Sequence, residues 1–323
     1  MQPPIADLLS RVRLGEPRCH EALAVFPLLL SEWPAEQPGY EVLDEALTAK
    51  HFNITEVSES GVVPMLRATN DGPLPVFLLD GEELVGARQN RVLNLSLLIP
   101  PGPGTTIDIP VSCVEAHRWA WRSRKFGSSG HAHYATGRAS KLGSVSASLR
   151  ARKQATSDQT QVWNDISAKA ARMKVSSKTA AMSEIFDNHS SRLDAATAAF
   201  PPVEGQAGAV YFAGSRVIGV DLFDDPKTFS KLHRKLLHSY ALDAIEEEQS
   251  TAAAAPAMDV AAAFLKSVSD SAEERFSAVG DGDTVRLSGR EVVGAALETW
   301  GRCIHLAAFP APAKRASRQA QDD

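Results

Sequence analysis

The sequence predicts an α+β protein in which antiparallel β-hairpins form a sheet or sandwich, covered by helices from the C-terminal half. Two observations carry this expectation. First, the segments FLLDGEELVGA, VYFAGSRVIGV and VRLSGREVVGA share one pattern around Gly81, Gly214 and Gly289. In each, apolar residues stand four and two places before the glycine: Phe77 and Leu79, Val210 and Phe212, Val285 and Leu287. An apolar pair follows, and a second glycine comes five places later at Gly86, Gly219 and Gly294. An alternating strand, a glycine able to take positive φ and a returning strand make a tight hairpin; the second glycine permits a bulge. Second, the long apolar stripes of helical period all lie after residue 157.

Taken in order, residues 4–13 suit a short helix, residues 22–30 and 51–66 read as strands, and VLDEALTAK between them suits another short helix. Two strand pairs follow through residue 115. In SDQTQVWNDISAKAARMKV, Val162, Ile166, Ala170 and Met173 recur at helical spacing behind an N-cap at Ser157 or Asp158. A second helix is expected over 178–198. Pro226, with Asp224 and Asp225 ahead of it, opens the best-marked helix, whose stripe is Phe229, Leu232, Leu236, Tyr240 and Ala244. STAAAAP at 250–256 reads as a linker, 257–268 as a helix, and residues 310–323 as a disordered tail. The expected organisation is one α+β domain over residues 1–309.

Composition narrows the function classes. A chain of 323 residues with 44% hydrophobic and 23% charged residues is ordinary globular material. Its formal charge of -5 argues against a globally nucleic-acid-binding protein. Cys19, Cys113 and Cys303 are too few and scattered for a disulfide framework, so three reduced thiols and a cytoplasmic location are expected. No apolar run approaches the roughly 18 residues of a membrane helix, and no leader-like segment opens the chain. Neither GxGxxG, a Walker A sequence nor G-x-S-x-G occurs.

The polar load is concentrated in residues 77–119. Only the first of the three G-x4-G segments continues into Arg88, Gln89, Asn90 and Arg91, then Asn94. Guanidinium and amide groups suit carboxylate, phosphate or a nucleobase edge. Counting by parity places Glu83, Gln89 and Arg91 on one strand face and Glu82, Arg88, Asn90 and Asn94 on the other, with a bulge at Gly86 able to bring both sets to one rim. VSCVEAHRW sets Cys113 and Glu115 two apart, hence on one face. Cys113 is weighed as a nucleophile and, with more weight, as a packed core thiol; Glu115 is the better general base. Cys113, His117, His131 and His133 match no compact metal site, and no metal is assigned. Residues 116–157 contain no acidic residue but nine basic ones, from Arg118 to Lys153, together with Trp119, Trp121, Phe126 and Tyr134. This segment reads as a flexible basic excursion, serving as a lid over an anionic ligand.

DGEELVGARQNRVLN, IPVSCVEAHRW, GQAGAVYFAGSRVIGVDLF and KLLHSYALDA together resemble the ARG and Rhodanese-Phosphatase-superfamily-associated Protein domain family, over roughly residues 17–247. The resemblance implies a role near NAD-derived or ADP-ribosyl metabolism, in bacterial conflict or stress systems, and names no reaction. The family pattern falls on Gly81, Glu82, Glu83, Gly86, Gln89, Asn90, Arg91, Asn94, Cys113, Glu115, Arg118 and Trp119, and on Gly219, Asp221 and Phe223. Arg88 stands where the family often has lysine, and His117 where it tends to have a small residue.

The expected function is that of an enzyme acting on a phosphate-bearing nucleotide or ADP-ribose-type small molecule. Glu83, Glu115 and Cys113 are the candidate catalytic residues. Glu82, Arg88, Gln89, Asn90, Arg91, Asn94, Arg118, Trp119 and Asp221 are the candidate ligand contacts. The alternatives are a non-catalytic sensor of a nucleotide-derived ligand and an assembly protein. An anionic small molecule is the expected partner, nucleic acid is disfavoured, no membrane is involved, and a homo-oligomer and the cofactor are left open.

Overall fold

The computed structural model describes residues 3–33, 36–248 and 256–312. The chain opens with α1 (Pro4–Ser10), β1 (Val12–Leu14), β2 (Arg18–His20), β3 (Leu23–Leu30), β4 (Glu41–Val42) and α2 (Leu43–Thr48). Next come β5 (Phe52–Glu56), β6 (Met65–Asn70), β7 (Val76–Leu78), β8 (Glu82–Gly86), β9 (Arg91–Leu93), β10 (Leu97–Ile99), β11 (Thr105–Cys113) and β12 (Phe126–Ala132). Four helices follow: α3 (Ala135–Arg152), α4 (Gln159–Arg172), α5 (Ser183–Asn188) and α6 (Ser190–Ala199). After β13 (Gln206–Ala213) and β14 (Arg216–Phe223) stand α7 (Pro226–Glu248) and α8 (Met258–Ser269). β15 (Ala272–Ser277), β16 (Asp283–Ser288), β17 (Val292–Thr299) and β18 (Arg302–Pro310) complete the α+β fold.

Three sheets result. A nine-stranded sheet runs β1-β3-β13-β14-β18-β17-β16-β15, with β2 also on β3; a six-stranded sheet runs β12-β8-β9-β11-β6-β5; a three-stranded one runs β10-β7-β4. All pairs are antiparallel except β4 with β7. The central strands of the nine-stranded sheet are buried on both faces, and the two faces are visible on β13. Ala207, Val210 and Phe212 pack with Phe26 of β3 and with Ile5, Leu8 and Phe264 of α1 and α8. Ala209, Tyr211 and Ala213 pack instead with Leu142, Ile166, Phe186, Leu193 and Tyr240 from α3 to α7. The α7 stripe foreseen from Phe229, Leu232, Leu236, Tyr240 and Ala244 is buried along its length, each large member contributing about 1.5–3 kcal/mol. The Asp158 carboxylate caps α4, accepting from Gln161 N–H at 3.1 Å.

Five expectations need correction or restriction. The G-x4-G segments of β13–β14 and β16–β17 are hairpins, but the first is a corner between sheets. β7 pairs with β10 and β4, whereas β8 pairs with β12 and β9. Glu82 N–H still closes the turn on Leu79 O (3.0 Å), and Gly81 has φ +81°. Gly81 N–H then donates to Leu93 O (3.0 Å), and its carbonyl accepts from His133 N–H (2.7 Å), so flanking strands capture the backbone before it can return. The bulge expected at a second glycine is present at Gly219 (φ +152°), where the partner of Tyr211 is Gly219 and that of Phe212 is Val217, passing over Ile218. It is absent at Gly86, the regular partner of Phe126.

Residues 116–157 are not a flexible excursion. They supply β12 and the 18-residue α3, on which Arg138 and Lys141 are buried. Serine and glycine lower the intrinsic helix preference of this stretch, and tertiary burial of one face overrides it. The strand expected over 51–66 is two, β5 and β6, in antiparallel pairing. Most of the expected 250–256 linker and of the tail lies outside the described residues; Pro310 closes β18. Among the described residues no helix is long and apolar enough to cross a membrane.

Candidate functional site

The four-residue connection Ala87–Asn90 between β8 and β9 is the hub of the site. Strand register, not parity counted along the chain, decides which side chains share a face. Glu83 stands opposite Val92, while Leu84 stands opposite Arg91, which in turn stands opposite Cys113. Directly paired residues point the same way, so Arg91 and Cys113 lie on one face and Glu83 on the other. The parity expectation that grouped Glu83 with Arg91 fails, because the connection breaks the count. Asn90 links the two faces.

Asn90 holds both carboxylates. Its side-chain amide donates to Glu83 Oε1 at 3.5 Å, and its backbone N–H donates to Glu115 Oε2 at 3.2 Å. Its Oδ1 accepts from Arg118 Nη2 at 3.0 Å. Arg118 also donates to Glu115 Oε2 (2.8 Å) and to the carbonyls of Gly86 (3.2 Å), Ala87 (2.8 Å) and Ala120 (2.9 Å). All the Arg118 donors are thereby engaged. It orients Glu115 and the chain after β11, and cannot also clamp a ligand without giving up these bonds.

The two carboxylates are driven apart in acidity. Burial pushes Glu83 up to about 7, with the negative charges of Asp187 and Glu115 acting in the same direction. Burial also opposes ionisation of Glu115, but the Arg118 hydrogen bond and the Asn90 amide contribute to outweighing it and hold the group below its usual range. Glu83 Oε2 and Glu115 Oε1 make no well-formed hydrogen bond, although Ser129 lies beside the Glu83 carboxyl, and Thr179 and, at 3.6 Å, Arg122 lie beside that of Glu115.

On the other face, Arg91 is fully buried. Its Nη1 donates to Gln89 Oε1 (3.1 Å) and to Asn90 O (3.4 Å), while Nε and Nη2 have no partner. Gln89 in turn donates to Glu115 O at 2.9 Å. The exposed Trp119 ring lies 5.9 Å from Arg91 Cζ, and Arg88 is stacked between Trp119 (5.5 Å) and Trp121 (4.7 Å). Burial raises the Cys113 thiol, only partly countered by Arg91, and its Sγ–H is directed at Glu115 O (3.4 Å). The thiol is a core group beside the site, without the depressed acidity a nucleophile requires.

Three of the expected contacts do not join this cluster. Asn94 bridges Ala155 O (2.9 Å) and Ser112 Oγ (2.6 Å). Glu82 pairs with Lys235 and accepts from Leu79 N–H at 3.2 Å, and burial leaves its carboxyl raised nonetheless. Asp221 receives Arg138 through both terminal nitrogens (2.8 and 2.7 Å), Tyr240 Oη–H (2.7 Å) and His305 Nε2 (2.9 Å). Arg138 and Lys141 were visible in the sequence only as two of nine basic residues; their carboxylates, Asp221 and Asp80, are 83 and 61 residues away. Glu56, whose charge acts on Arg91, gave no sequence signal. Among the described residues no group of three or more His, Cys, Asp or Glu side chains is placed to hold a metal ion.

Fold and site together define an α+β protein with a buried glutamate pair and a buried arginine gathered on one strand connection. The chain belongs to the ARG and Rhodanese-Phosphatase-superfamily-associated Protein domain family, which it matches over residues 11–309. The match extends the resemblance through the last strands. No curated protein and no solved structure matches the chain.

Proposed function

We propose that the protein is an enzyme acting on a phosphate-bearing nucleotide or ADP-ribose-type small molecule, with Glu83 and Glu115 as its acid/base pair. The observation that carries this reading is the opposite displacement of two buried carboxyls held by one residue, Asn90. Environments that push paired carboxyls apart separate the proton donor from the ionised partner. In a hydrolysis, Glu83 gives its proton to the leaving atom as that bond breaks. Glu115 takes a proton from the attacking water as its oxygen forms the new bond. The family name supports the ADP-ribose side of the reading through the ADP-ribosylglycohydrolases in whose company the domain is named.

Glu83→Gln keeps the shape and removes the titrating proton. Turnover of ADP-ribosyl and nucleotide substrates, followed by chromatography, is expected to fall by about 10²–10⁴-fold while binding persists. The wild-type rate is expected to decline above pH 7 as Glu83 ionises. A second reading, a non-catalytic sensor, is favoured by the complete burial of both carboxyls. It prevails if the parent protein turns nothing over and Glu83→Gln loses binding.

A further inference from the structure

We infer that Arg91 is the anion-binding group of this region: its guanidinium takes an oxyanion, phosphate or carboxylate, of a ring-bearing ligand, and the Trp119 indole stacks on that ring. The inference deepens the proposed function and rests on its placement of a ligand at the β8–β9 connection. Three observations single out Arg91 among the arginines of the region. Arg118 has every donor engaged, and Arg88 donates from Nε and Nη2 to Glu59 O. Arg91 alone of the three is fully buried with unused donors, and no carboxylate lies within 4 Å of it among the described residues.

Glu56 and Glu115 act on Arg91 only from beyond ion-pair distance, and a buried cation without a direct counter-charge is costly. Guanidinium N–H groups match the fork of a carboxylate or phosphate. The free atoms are also concentrated. Of the fifteen buried side-chain atoms without a hydrogen-bond partner among the described residues, five belong to Glu56, Glu83, Arg91 and Glu115 around this one connection. A ligand oxyanion would satisfy the two free Arg91 donors, Nε and Nη2.

Access is defined by Trp119. The indole is 46% exposed, and its ring lies against both the Arg91 and Arg88 guanidiniums. An anion that reaches Arg91 therefore passes or displaces this ring, which is then placed to stack on the part of the ligand left outside. Because Arg91 and Glu83 are on opposite faces of the β8–β9 ladder, Arg91 holds a portion of the ligand away from the reacting bond. Its loss acts on binding and KM, whereas loss of Glu83 acts on kcat.

The test compares wild type, Arg91→Met, Arg91→Lys and Glu83→Gln by thermal melting and tryptophan fluorescence with inorganic phosphate, acetate and ADP-ribose. In buffer alone Arg91→Met is expected to melt higher than wild type, by roughly 2–5 °C, because an unpaired buried charge is removed. Phosphate or ADP-ribose should raise the melting point of wild type and Glu83→Gln and leave Arg91→Met unmoved. A rise with acetate but not phosphate would assign the oxyanion as a carboxylate. Arg91→Lys keeps the charge without the fork and should bind about tenfold more weakly or worse. The inference is overturned if Arg91→Met melts below wild type, if the anions shift it as much as wild type, or if Arg91→Lys binds as well as arginine. Retained binding in Arg91→Met together with lost turnover in Glu83→Gln would remove the anion site and leave the acid/base pair standing.

Discussion

The molecule contains two buried ionic clusters of similar size, and they are built on opposite terms. Around Asp221 the carboxylates and cations answer one another, although the neighbouring Tyr211 hydroxyl and both His133 ring nitrogens have no partner. Arg138 grips Asp221 with both terminal nitrogens, Tyr240 and His305 complete the carboxylate, and Lys141 and Arg138 share Asp80. His305 continues to Ser96 Oγ at 2.8 Å, which accepts from Asp80 N–H at 2.9 Å. The charges hold Asp221 well below the usual carboxylate range against the opposing effect of burial. Around Asn90, by contrast, Glu83, Glu115 and Arg91 all keep atoms without partners. A saturated network ties α3, β14, β18 and the β7–β8 corner together; an unsaturated one is poised for something not part of the chain. The difference separates architecture from site more sharply than residue type does, since both clusters contain arginine and carboxylate.

The comparison is broken first by removing a partner from the saturated cluster. Arg138→Met should cost about 3–5 kcal/mol, because Asp221 is left buried with its main counter-charge gone. Chemical denaturation measures it. A loss below about 1 kcal/mol would show that Asp221 finds compensation and that the network does not staple the sheets. The same arginine-to-methionine change at Arg91 is expected to have the opposite sign, so the two variants form one matched test.

The second effect is on pH dependence and belongs to the unsaturated cluster. Glu83 is raised from 4.5 to about 7 on folding. The native state therefore binds more protons than the unfolded chain between those pH values, and stability falls as pH rises through the window. For a fully buried group the full drop is about 3 kcal/mol. It is complete above pH 7 and absent below pH 4.5. Glu83→Gln should flatten this part of the profile. A wild-type stability that rises steadily from pH 5 to 7 would place the Glu83 carboxyl in a more polar setting than its burial implies.

Much of this contrast was written in the sequence, though unevenly. The Asp225–Pro226 start of α7, its apolar stripe and the Asp158 cap were legible because they depend on neighbours within a turn or two. The polar group from Arg88 to Asn90 was legible because the other G-x4-G segments lack it. Three features were not. The first G-x4-G segment has a hairpin's local chemistry, but its partners, Leu93 and His133, come from later in the chain. The faces of Glu83 and Arg91 are set by register across β8 and β9, which parity through a connection cannot supply. Asn94 and Asp221 belong to a residue class that binds ligands and braces folds equally well, and only their partners decide between the two. Arg138 and Lys141 were hidden in a basic, serine-rich run whose acids lie on other elements.

The smallest effect probes the limits of saturation itself. Tyr240 stacks on Tyr211 with ring centroids 3.8 Å apart and donates its hydroxyl to Asp221 Oδ2 at 2.7 Å. Tyr240→Phe keeps the stack and deletes one donor to a buried charge. A hydrogen bond to an ionised group contributes about 1.5–3 kcal/mol when it is the decisive one. Here Arg138 and His305 still contact the carboxylate, so the expected loss is at the lower end, about 1–2 kcal/mol in denaturant titration. If the cost approaches that of Arg138→Met, the cluster is cooperative and no single donor is dispensable. If it is near zero, Arg138 alone stabilises Asp221, and the hydroxyl is a spectator in an already satisfied shell.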